Sequence, residues 1–438
     1  MKKITSKKML ALYACSGLGV NMLNIIVGSY LCSALLVGGF EKHVENWTYL
    51  NKDLVVAWLW AILIVVAKII DGVIDLPLAH FADNLQTKFG KRKSGLVMGF
   101  VPMAIAYVLF LVPLNHEQSY LNTIWFAGLL LIFYAFYTLT MLTFYATFAE
   151  ITEKPEEIVL LSNVKSVCDV VYFSLSFALV PVFVSLGINI RYVALIFLPL
   201  SLTMLIPMFL LKEKDTSKET SPISVPRTTL ISSMRFAFQD RSYILWLGVL
   251  FVMNLGLQLF LSGINEFFST TGLNMTFIMA SCFVPVPLTI ILYNKIIRKH
   301  GLGIAFRYIL LVFSVSMILM GVCKWIPENI LFPYAIMCSL IASFSIGSFF
   351  SVTYSVPSQC AAMRGGESAS SMYFAIQGLF EGASAGLASG VILVFLKQNG
   401  LISFLTAIVA FFCMSAFALT FLLSKKISTI GMDSDRKA

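Results

Sequence analysis

The stretch AKIIDGVIDLPLAHFAD, residues 67–83, continues the apolar run LVVAWLWAILIVV, residues 54–66, without a break. Together they form one segment that is long enough for a membrane-crossing helix, which needs about 20 residues. Three charged residues, Lys68, Asp71 and Asp75, lie inside it. Each charge costs about 2.5–3.5 kcal/mol at the centre of a bilayer on insertion scales. The stretch therefore predicts a spanning helix whose charges have a structural or a functional role.

The composition extends this interpretation to the whole chain. The protein has 438 residues, of which 58% are hydrophobic and 12% are charged, and its mean hydropathy is +0.87. Soluble domains carry about 25% charged residues. The chain is therefore expected to be an all-α polytopic membrane protein, because lipid requires each span to satisfy its own backbone hydrogen bonds. The short alternating segments of a membrane β-barrel are not seen in the sequence.

The apolar runs predict twelve spans, which a polar stretch divides into two groups of six. The predicted spans cover residues 9–36, 53–82, 94–113, 121–149, 160–186, 190–211, 242–270, 274–297, 303–324, 328–357, 367–396 and 401–424. The domains are then a six-helix bundle at 1–211, a cytoplasmic linker at 212–241, a second six-helix bundle at 242–424 and a cytoplasmic tail at 425–438.

A faint internal repeat supports two related halves. Pro77 precedes Gly90 by thirteen residues, and Pro287 precedes Gly301 by fourteen residues, in both cases ahead of a basic loop. Each of these prolines lies in the second predicted span of its half. Two related bundles joined by a linker are typical of transporters built from internal repeats.

The net charge of +9 comes from basic residues in alternate loops and at both ends of the chain. This positive-inside pattern predicts a plasma-membrane protein with both termini in the cytoplasm. Anionic lipid headgroups, rather than nucleic acid, are the expected partners of these residues. The basic residues concerned are Lys2, Lys3, Lys7, Lys8, Lys88, Lys91, Arg92, Lys93, Lys295, Arg298, Lys299, Lys425, Lys426, Arg436 and Lys437.

Lys68, Asp71 and Asp75 are spaced three and four residues apart, which places them on one helical face. One lysine neutralises one carboxylate, so the other needs a second positive charge, a proton or a cation such as Na⁺, which binds oxygen ligands. The face therefore predicts a site that loads and unloads an ion. A static salt bridge that links helices is the alternative.

Further charged residues lie inside other predicted spans. Lys165 and Asp169 on span five form a local pair by spacing, or Lys165 reaches the aspartates of span two. Glu381, in the small-residue stretch GLFEGASAGLASG on span eleven, is expected to be protonated or to face water. Glu266 is expected to be exposed at the outer end of span seven.

Polar and aromatic residues on spans one, four, seven and eleven are candidates for lining a central cavity. They are Tyr13, Asn21, Asn24, Tyr137, Thr143, Tyr145, Asn254, Gln258 and Gln377. The eight cysteines show no metal-ligand spacing and are expected to be small buried hydrophobes. The sequence has no Walker loop or HExxH motif, which argues against an enzyme or an ATP-driven pump and predicts no cofactor.

The stretches KIIDGVIDLPLAHFADNLQTKFGKRK, residues 68–93, and MRGGESASSMYFAIQGLFEGASAG, residues 363–386, resemble a known family. It is the glycoside–pentoside–hexuronide:cation symporter branch, which is melibiose-permease-like, of the major facilitator superfamily. The resemblance implies cation-coupled uptake, with Asp71 and Asp75 as cation carboxylates and with Lys68 and Lys165 as basic partners. It also implies that Asp83, Gly90, Lys91 and Arg92 belong to a gating loop.

The sequence departs from that branch at several positions. Ile74 stands where sodium-using members often have a polar residue, and Glu381 stands where sugar-binding members have a lysine. Asn21 and Met141 match positions where those members have acidic residues. The coupling face is therefore kept, whereas the sugar-binding chemistry is largely not. A patch around Met141 and Tyr145 suits an amphipathic, lipid-like or peptide-like solute.

The sequence therefore predicts a monomeric transporter that takes up a small organic solute together with H⁺ or Na⁺ by alternating access. The solute is expected to be sugar- or glycoside-like or amphipathic. The alternative within transport is a proton-coupled exporter of a drug, peptide or lipid-like product. The alternative from another class is a transport-fold sensor or assembly partner without turnover.

Overall fold

A computed structural model gives the fold, and it describes residues 6–40, 44–83, 85, 87–151, 155–211, 213, 238–271, 273, 275–364 and 367–429. The regular structure of this part of the chain is helical, without strands. The predicted all-α fold is confirmed.

Eighteen α-helices cover most of the described residues. They are α1 (Lys7–Cys15), α2 (Leu18–Ile25), α3 (Val44–Trp47), α4 (Ala57–Asp83), α5 (Lys91–Phe110), α6 (Tyr120–Ile151), α7 (Pro155–Ser185), α8 (Ile190–Phe197), α9 (Ile206–Leu210), α10 (Arg241–Thr271), α11 (Met275–Phe283), α12 (Val286–His300), α13 (Leu302–Gly321), α14 (Glu328–Arg364), α15 (Glu367–Gly386), α16 (Leu393–Gln398), α17 (Leu405–Leu419) and α18 (Lys425–Ser428). In the same residues, π-helical turns at Ile26–Leu31 and Leu387–Ile392 and 3₁₀ turns such as Leu198–Leu205 join neighbouring α-helices into longer rods.

Ten of the rods in the described residues are long and apolar enough to cross a membrane. Of the fifth predicted span, the described residues contribute the apolar stretch Val171–Ser185, which belongs to the longer helix α7. The eighth is interrupted between α11 and α12, where Pro285 cannot donate a backbone hydrogen bond. With these two helices the architecture agrees with twelve spans.

The described residues fall into two compact units. The first contains 6–37, 44–60 and 73–213, and the second contains 38–40, 61–72 and 238–429. Two segments from the N-terminal part of the chain, 38–40 and 61–72, thus pack with the second unit. The predicted domain boundaries at 211, 241 and 424 stay predictions.

Each unit has its own aromatic core. In the first unit, the rings of Phe110 and Phe126 meet edge to face at 5.1 Å between centroids, which joins α5 to α6. In the second unit, the Phe313 ring on α13 lies 5.5 Å from Phe260 on α10 and 5.2 Å from Phe349 on α14. Such edge-to-face pairs add about 0.5–1.5 kcal/mol beyond their buried area. These contacts fix the helices that carry the polar clusters described below.

One local arrangement occurs once in each unit. Gly90 (φ 92°, ψ 154°) directly precedes α5, and Gly301 (φ 82°, ψ 164°) directly precedes α13. Both backbones are in a region that only glycine adopts readily. A residue from the C-terminal end of the same unit packs on each glycine: Glu213 on Gly90, and Ser428, at the end of α18, on Gly301. The two glycines of the predicted repeat therefore occupy matching places.

The segment 61–72 of α4 packs closely on α15 and the π-helical turn that follows it. A Cβ on Gly382 would overlap the carbonyl oxygen of Lys68, and one on Gly390 would lie 2.7 Å from the carbonyl oxygen of Ala61. Small residues on α15 thus let the two backbones approach, as expected for helices packed in lipid.

Candidate functional site

The first unit brings together a polar cluster from three helices. The hydroxyl of Tyr137 on α6 donates to Oδ1 of Asn21 on α2 at 2.8 Å. On α7, Lys165 Nζ lies 2.5 Å from Asp169 Oδ2, and it also lies 4.9 Å from the centroid of the Tyr145 ring. Several residues predicted from different spans are thus neighbours in one cluster, which we call the first-unit cluster: Asn21, Tyr137, Tyr145, Lys165 and Asp169.

Lys165 and Asp169 form the local pair that their spacing predicts. Their side chains remain 25% and 30% exposed, although they lie within a helix that continues into the apolar stretch Val171–Ser185. An ion pair that faced lipid would be unfavourable, because burying charged groups in hydrocarbon costs free energy. The pair is therefore suited to a water-filled space inside the membrane.

Other candidates of the first unit are packed rather than open. Tyr13 is fully buried, is hydrogen-bonded to Thr147 and stacks on Phe144 with 5.4 Å between centroids. Met141 and Thr143 on α6 are buried, and Asn24 on α2 is half-buried. These residues support the helices around the first-unit cluster, and their predicted contact with solute stays a prediction.

The second unit has a polar cluster between α10 and α15. Trp246 Nε1 donates to Gln377 Oε1 at 3.1 Å, and Gln377 Nε2 donates to Glu381 Oε1 at 3.0 Å. Asn254 Nδ2 donates to the Glu381 carbonyl at 3.0 Å and to Ser384 Oγ at 2.7 Å. Asn254, Gln377 and Glu381, which were predicted separately, therefore meet in what we call the second-unit cluster. Gln258, one turn beyond Asn254, is half-buried on α10.

Two members of the second-unit cluster were not singled out in the sequence. Trp246 is fully buried and orients the Gln377 amide, and Ser384 fixes the Asn254 amide. A tryptophan in an apolar run and a serine among glycines and alanines carry no signal of this role. Only the packing of α10 on α15 reveals it.

Glu266 requires a correction. It is not exposed at the end of its span: it is fully buried on α10 and lies 3.0 Å from Lys397 Nζ on α16, which is itself only 2% exposed. The Lys397 ammonium also lies 4.9 Å from the centroid of the Phe40 ring. A buried acid is retained when a cation compensates its charge. This pair could not be predicted from sequence spacing, because its two residues are 131 positions apart in the chain.

The predicted coupling residues lie on α4. Lys68 and Asp71 are half-buried, on the segment that packs against α15. The backbones of Asp75 and Asp83 belong to the same helix, whereas their side chains lie outside the described residues. Among the residues described, no three His, Cys, Asp or Glu side chains come together as metal ligands. A role for Asp71 and Asp75 in ion binding stays a prediction.

The predicted gating loop is held by a residue that the sequence did not indicate. The backbone N–H groups of Arg92 and Lys93 donate to the two carboxylate oxygens of Glu213, at 3.1 and 2.8 Å. These groups belong to the first turn of α5, which also contains Lys91 and follows Gly90. A carboxylate at a helix N-terminus satisfies free N–H groups and interacts favourably with the helix dipole.

Solved transporter structures share this fold at low sequence identity. A point mutant of the nucleoside transporter NupG aligns with a TM-score of 0.68 and 13% identity, covering 96% of this chain and 100% of that one. A POT family transporter in complex with 5-aminolevulinic acid aligns with a TM-score of 0.64 and 13% identity, covering 94% of both chains. A bacterial homologue of the human lysosomal transporter Spinster aligns with a TM-score of 0.60 and 13% identity, covering 96% of both chains. At this identity the likeness establishes the fold alone.

Comparison with curated proteins finds no match. Comparison with family models finds one that is described as MFS/sugar transport protein, and it matches residues 12–428. That range includes nearly the whole chain and both polar clusters. The specific branch of the superfamily is not identified by this match. The chain belongs to the MFS/sugar transport protein family of membrane transporters.

Proposed function

We propose that this secondary transporter is a symporter, which couples uptake of a small organic solute to the movement of H⁺ or Na⁺ by alternating access. Asp71 and Asp75 on α4 are the proposed coupling carboxylates, with Lys68 as their basic neighbour. Neutralising a carboxylate lowers the cost of moving it through a dry intermediate, so ion binding biases which side is open.

The observation that carries this proposal is the exposure of Lys165 and Asp169 inside a membrane helix. The buried Lys397–Glu266 pair serves as the comparison, because it is closed to solvent and suits a structural role. A partly exposed pair next to Tyr145 and near the Asn21–Tyr137 hydrogen bond is suited to a hydrated solute pathway. Ionisable residues in such a pathway are typical of coupled transport.

The chemistry of the two clusters supports a polar solute with apolar surface. In the first-unit cluster, Asn21 and Tyr137 can exchange their mutual hydrogen bond for bonds to a solute. In the second-unit cluster, Gln377 can do the same with its bond to Glu381. The aromatic face of Tyr145, which is exposed, suits a ring or an apolar edge. We therefore propose a sugar- or glycoside-like or amphipathic solute. Nucleosides are a further class to test, because the solved structure of NupG is that of a nucleoside transporter.

The setting is part of the same proposal. We place the protein in the plasma membrane as a monomer, with both termini in the cytoplasm and its basic loops against anionic lipid headgroups. No cofactor is needed, since the ion gradient supplies the energy. The basic first turn of α5, Lys91–Lys93, lies on the proposed cytoplasmic side.

The test begins with thermal-shift screening of the purified protein against sugars, nucleosides, peptides and lysolipids, with and without Na⁺. A ligand at 100 times its Kd stabilises the native state by about 2.7 kcal/mol. The best solute is then followed in proteoliposomes under an imposed H⁺ or Na⁺ gradient.

In that assay Asp71→Asn and Asp75→Asn are expected to abolish gradient-driven accumulation while leaving solute exchange. Glu117→Gln is the matched control, because Glu117 is 80% exposed and pairs with Lys52 outside the spans. Normal accumulation by both aspartate variants would rule out their coupling role.

A further inference from the structure

The surroundings of Glu381 differ from those of the acids that form ion pairs. Asp169 and Glu266 each have a lysine ammonium within 2.5–3.0 Å. Glu381 is half-buried within the apolar span Ile376–Gln398, and it forms no ion pair in the described part of the chain. Its carboxylate is hydrogen-bonded by a neutral amide, from Gln377 at 3.0 Å.

The direction of this hydrogen bond is fixed by its neighbours. Trp246 Nε1 can only donate, so it occupies the Gln377 oxygen and turns the Gln377 amide N–H₂ toward Glu381. The Glu381 carboxyl group thus faces a donor rather than an oxygen. A metal cation next to Glu381 Oε1 would meet the positive end of this N–H bond and would gain no oxygen ligand from Gln377. The arrangement favours a proton over Na⁺.

The titratable groups on the surrounding helices are few. The hydroxyl of Tyr243 on α10 donates a hydrogen bond to the backbone carbonyl of Tyr373. Cys360 lies on α14, and Lys68 and Asp71 lie on the segment of α4 that packs on α15. Lys68 meets α15 through its carbonyl oxygen and Cβ, next to Gly382 and Gly386.

An ionised carboxylate without a cation partner costs about 2.5–3.5 kcal/mol in the middle of a span on insertion scales. A proton removes this cost. We propose that Glu381 holds a proton in this conformation, and that it is the group in the second-unit cluster that takes up and releases the coupling proton. This inference rests on the proposed function and deepens it, because it selects H⁺ as the coupling ion and adds Glu381 to the coupling residues.

The first experiment needs no solute. Dicyclohexylcarbodiimide, an apolar reagent, reacts with protonated carboxyl groups in membranes: the carboxyl oxygen adds to the carbodiimide carbon, its proton moves to nitrogen, and the adduct rearranges to a stable N-acylurea. The purified protein in lipid nanodiscs is treated over a range of pH and is analysed by peptide mass spectrometry. Glu381 is expected to be modified near neutral pH, with less modification as the pH rises.

Asp169 and Glu266 are the internal controls, because each of them lies beside a lysine ammonium. Both are expected to stay unmodified under the same conditions. The measurement is made on the wild-type protein, so it does not depend on the folding of a variant. Glu381→Gln, checked by its thermal melt, identifies the modified position by losing the label.

Two results would overturn the proton assignment. One is the absence of modification at Glu381 at every pH at which the protein stays folded, as expected if Lys68 or another cation keeps it ionised. The other is protection of Glu381 by Na⁺ but not by choline, which would assign a sodium site.

The coupling role is tested separately in proteoliposomes with the solute found by thermal shift. Glu381→Gln is expected to lose proton-driven accumulation and to keep exchange, and wild-type accumulation by this variant would overturn the coupling role. Failure of Asp71→Asn and Asp75→Asn to affect coupling would reject the aspartates of the proposed function while leaving the labelling of Glu381 intact. The two proposals therefore fail on different results.

Discussion

Lysine–carboxylate pairs occur in both units of this transporter, and they differ in how far apart the partners lie in the chain. Lys165 and Asp169 are four residues apart on one helix, so their spacing predicts the contact. Lys397 and Glu266 meet only because α16 and α10 pack together. Sequence spacing thus identifies pairs within an element, whereas pairs between elements require the fold.

The buried pair leads to a stability prediction. Lys397→Met leaves Glu266 in a closed site without its cation, and breaking a buried pair in this way costs about 3–5 kcal/mol. The expected result is a large loss of unfolding free energy, measured by thermal or chemical unfolding in detergent. Lys52→Met breaks the exposed pair with Glu117 and is expected to cost about 0–1 kcal/mol.

The double variant Lys397→Met/Glu266→Leu checks the mechanism. Because it removes both charges, it is expected to recover most of the stability that Lys397→Met loses. Wild-type stability of the Lys397→Met variant would contradict the prediction, because it would mean that loss of the lysine does not leave an uncompensated charge on a buried Glu266.

At the scale of helices, the contact between α4 and α15 depends on glycines, of which Gly382 leaves the least room for a Cβ. Gly382→Ala would place its Cβ on the carbonyl oxygen of Lys68, and both backbones would have to move apart. Overpacking of this kind costs about 1–3 kcal/mol. Gly382→Ala is therefore expected to lower the thermal stability and to impair transport, since α4 carries the proposed coupling residues.

Gly378→Ala is the matched control on the same helix. Its Cβ would meet no atom within 4 Å, so it is expected to be neutral or to stabilise α15 by up to about 1 kcal/mol through helix propensity. Equal destabilisation by the two variants would show that flexibility of the glycines, rather than close approach at Gly382, governs this contact.

The first turn of α5 gives a further prediction at this scale. Glu213→Gln keeps the shape of the side chain but replaces one accepting oxygen with an N–H₂ group, which cannot accept from Arg92 or Lys93. Loss of a helix cap costs about 0.5–2 kcal/mol. The expected result is faster amide hydrogen exchange at residues 91–94, with Glu117→Gln as the control. Unchanged exchange would contradict the capping role.

The positions of the spans could be predicted closely from the sequence, and their irregularities could not. Span three was predicted at 94–113 and α5 covers Lys91–Phe110, because a long apolar run has few alternatives in lipid. The interruption before Val286 and the π-helical turn at Ile26–Leu31 leave no mark in the hydropathy pattern. The hydropathy pattern predicts the length of a span and the position of its charges, but it does not predict such departures from regular α-helix.

At the scale of the whole molecule, the two-fold repeat is clearer in structure than in sequence. The spacing of Pro77 to Gly90 and of Pro287 to Gly301 gave a faint signal. The structure adds the residues that pack on each glycine, Glu213 and Ser428. An acid and a serine share no sequence pattern, so the correspondence lies in the backbone. The candidate site was predictable to a similar degree: its residues were named, but their grouping into two clusters was not.

The orientation of the whole chain gives the last prediction. Basic residues precede α5, form its first turn and follow α17, whereas the connection 111–119 between α5 and α6 has no lysine or arginine. The positive-inside rule therefore places the C-terminus in the cytoplasm and this connection outside. A fluorescent protein that matures only in the cytoplasm is expected to be bright when fused after Ala438 and dark when inserted between Glu117 and Gln118. The opposite pattern would invert the topology, and α5, with its Glu213-capped first turn, would then begin on the outer side of the membrane.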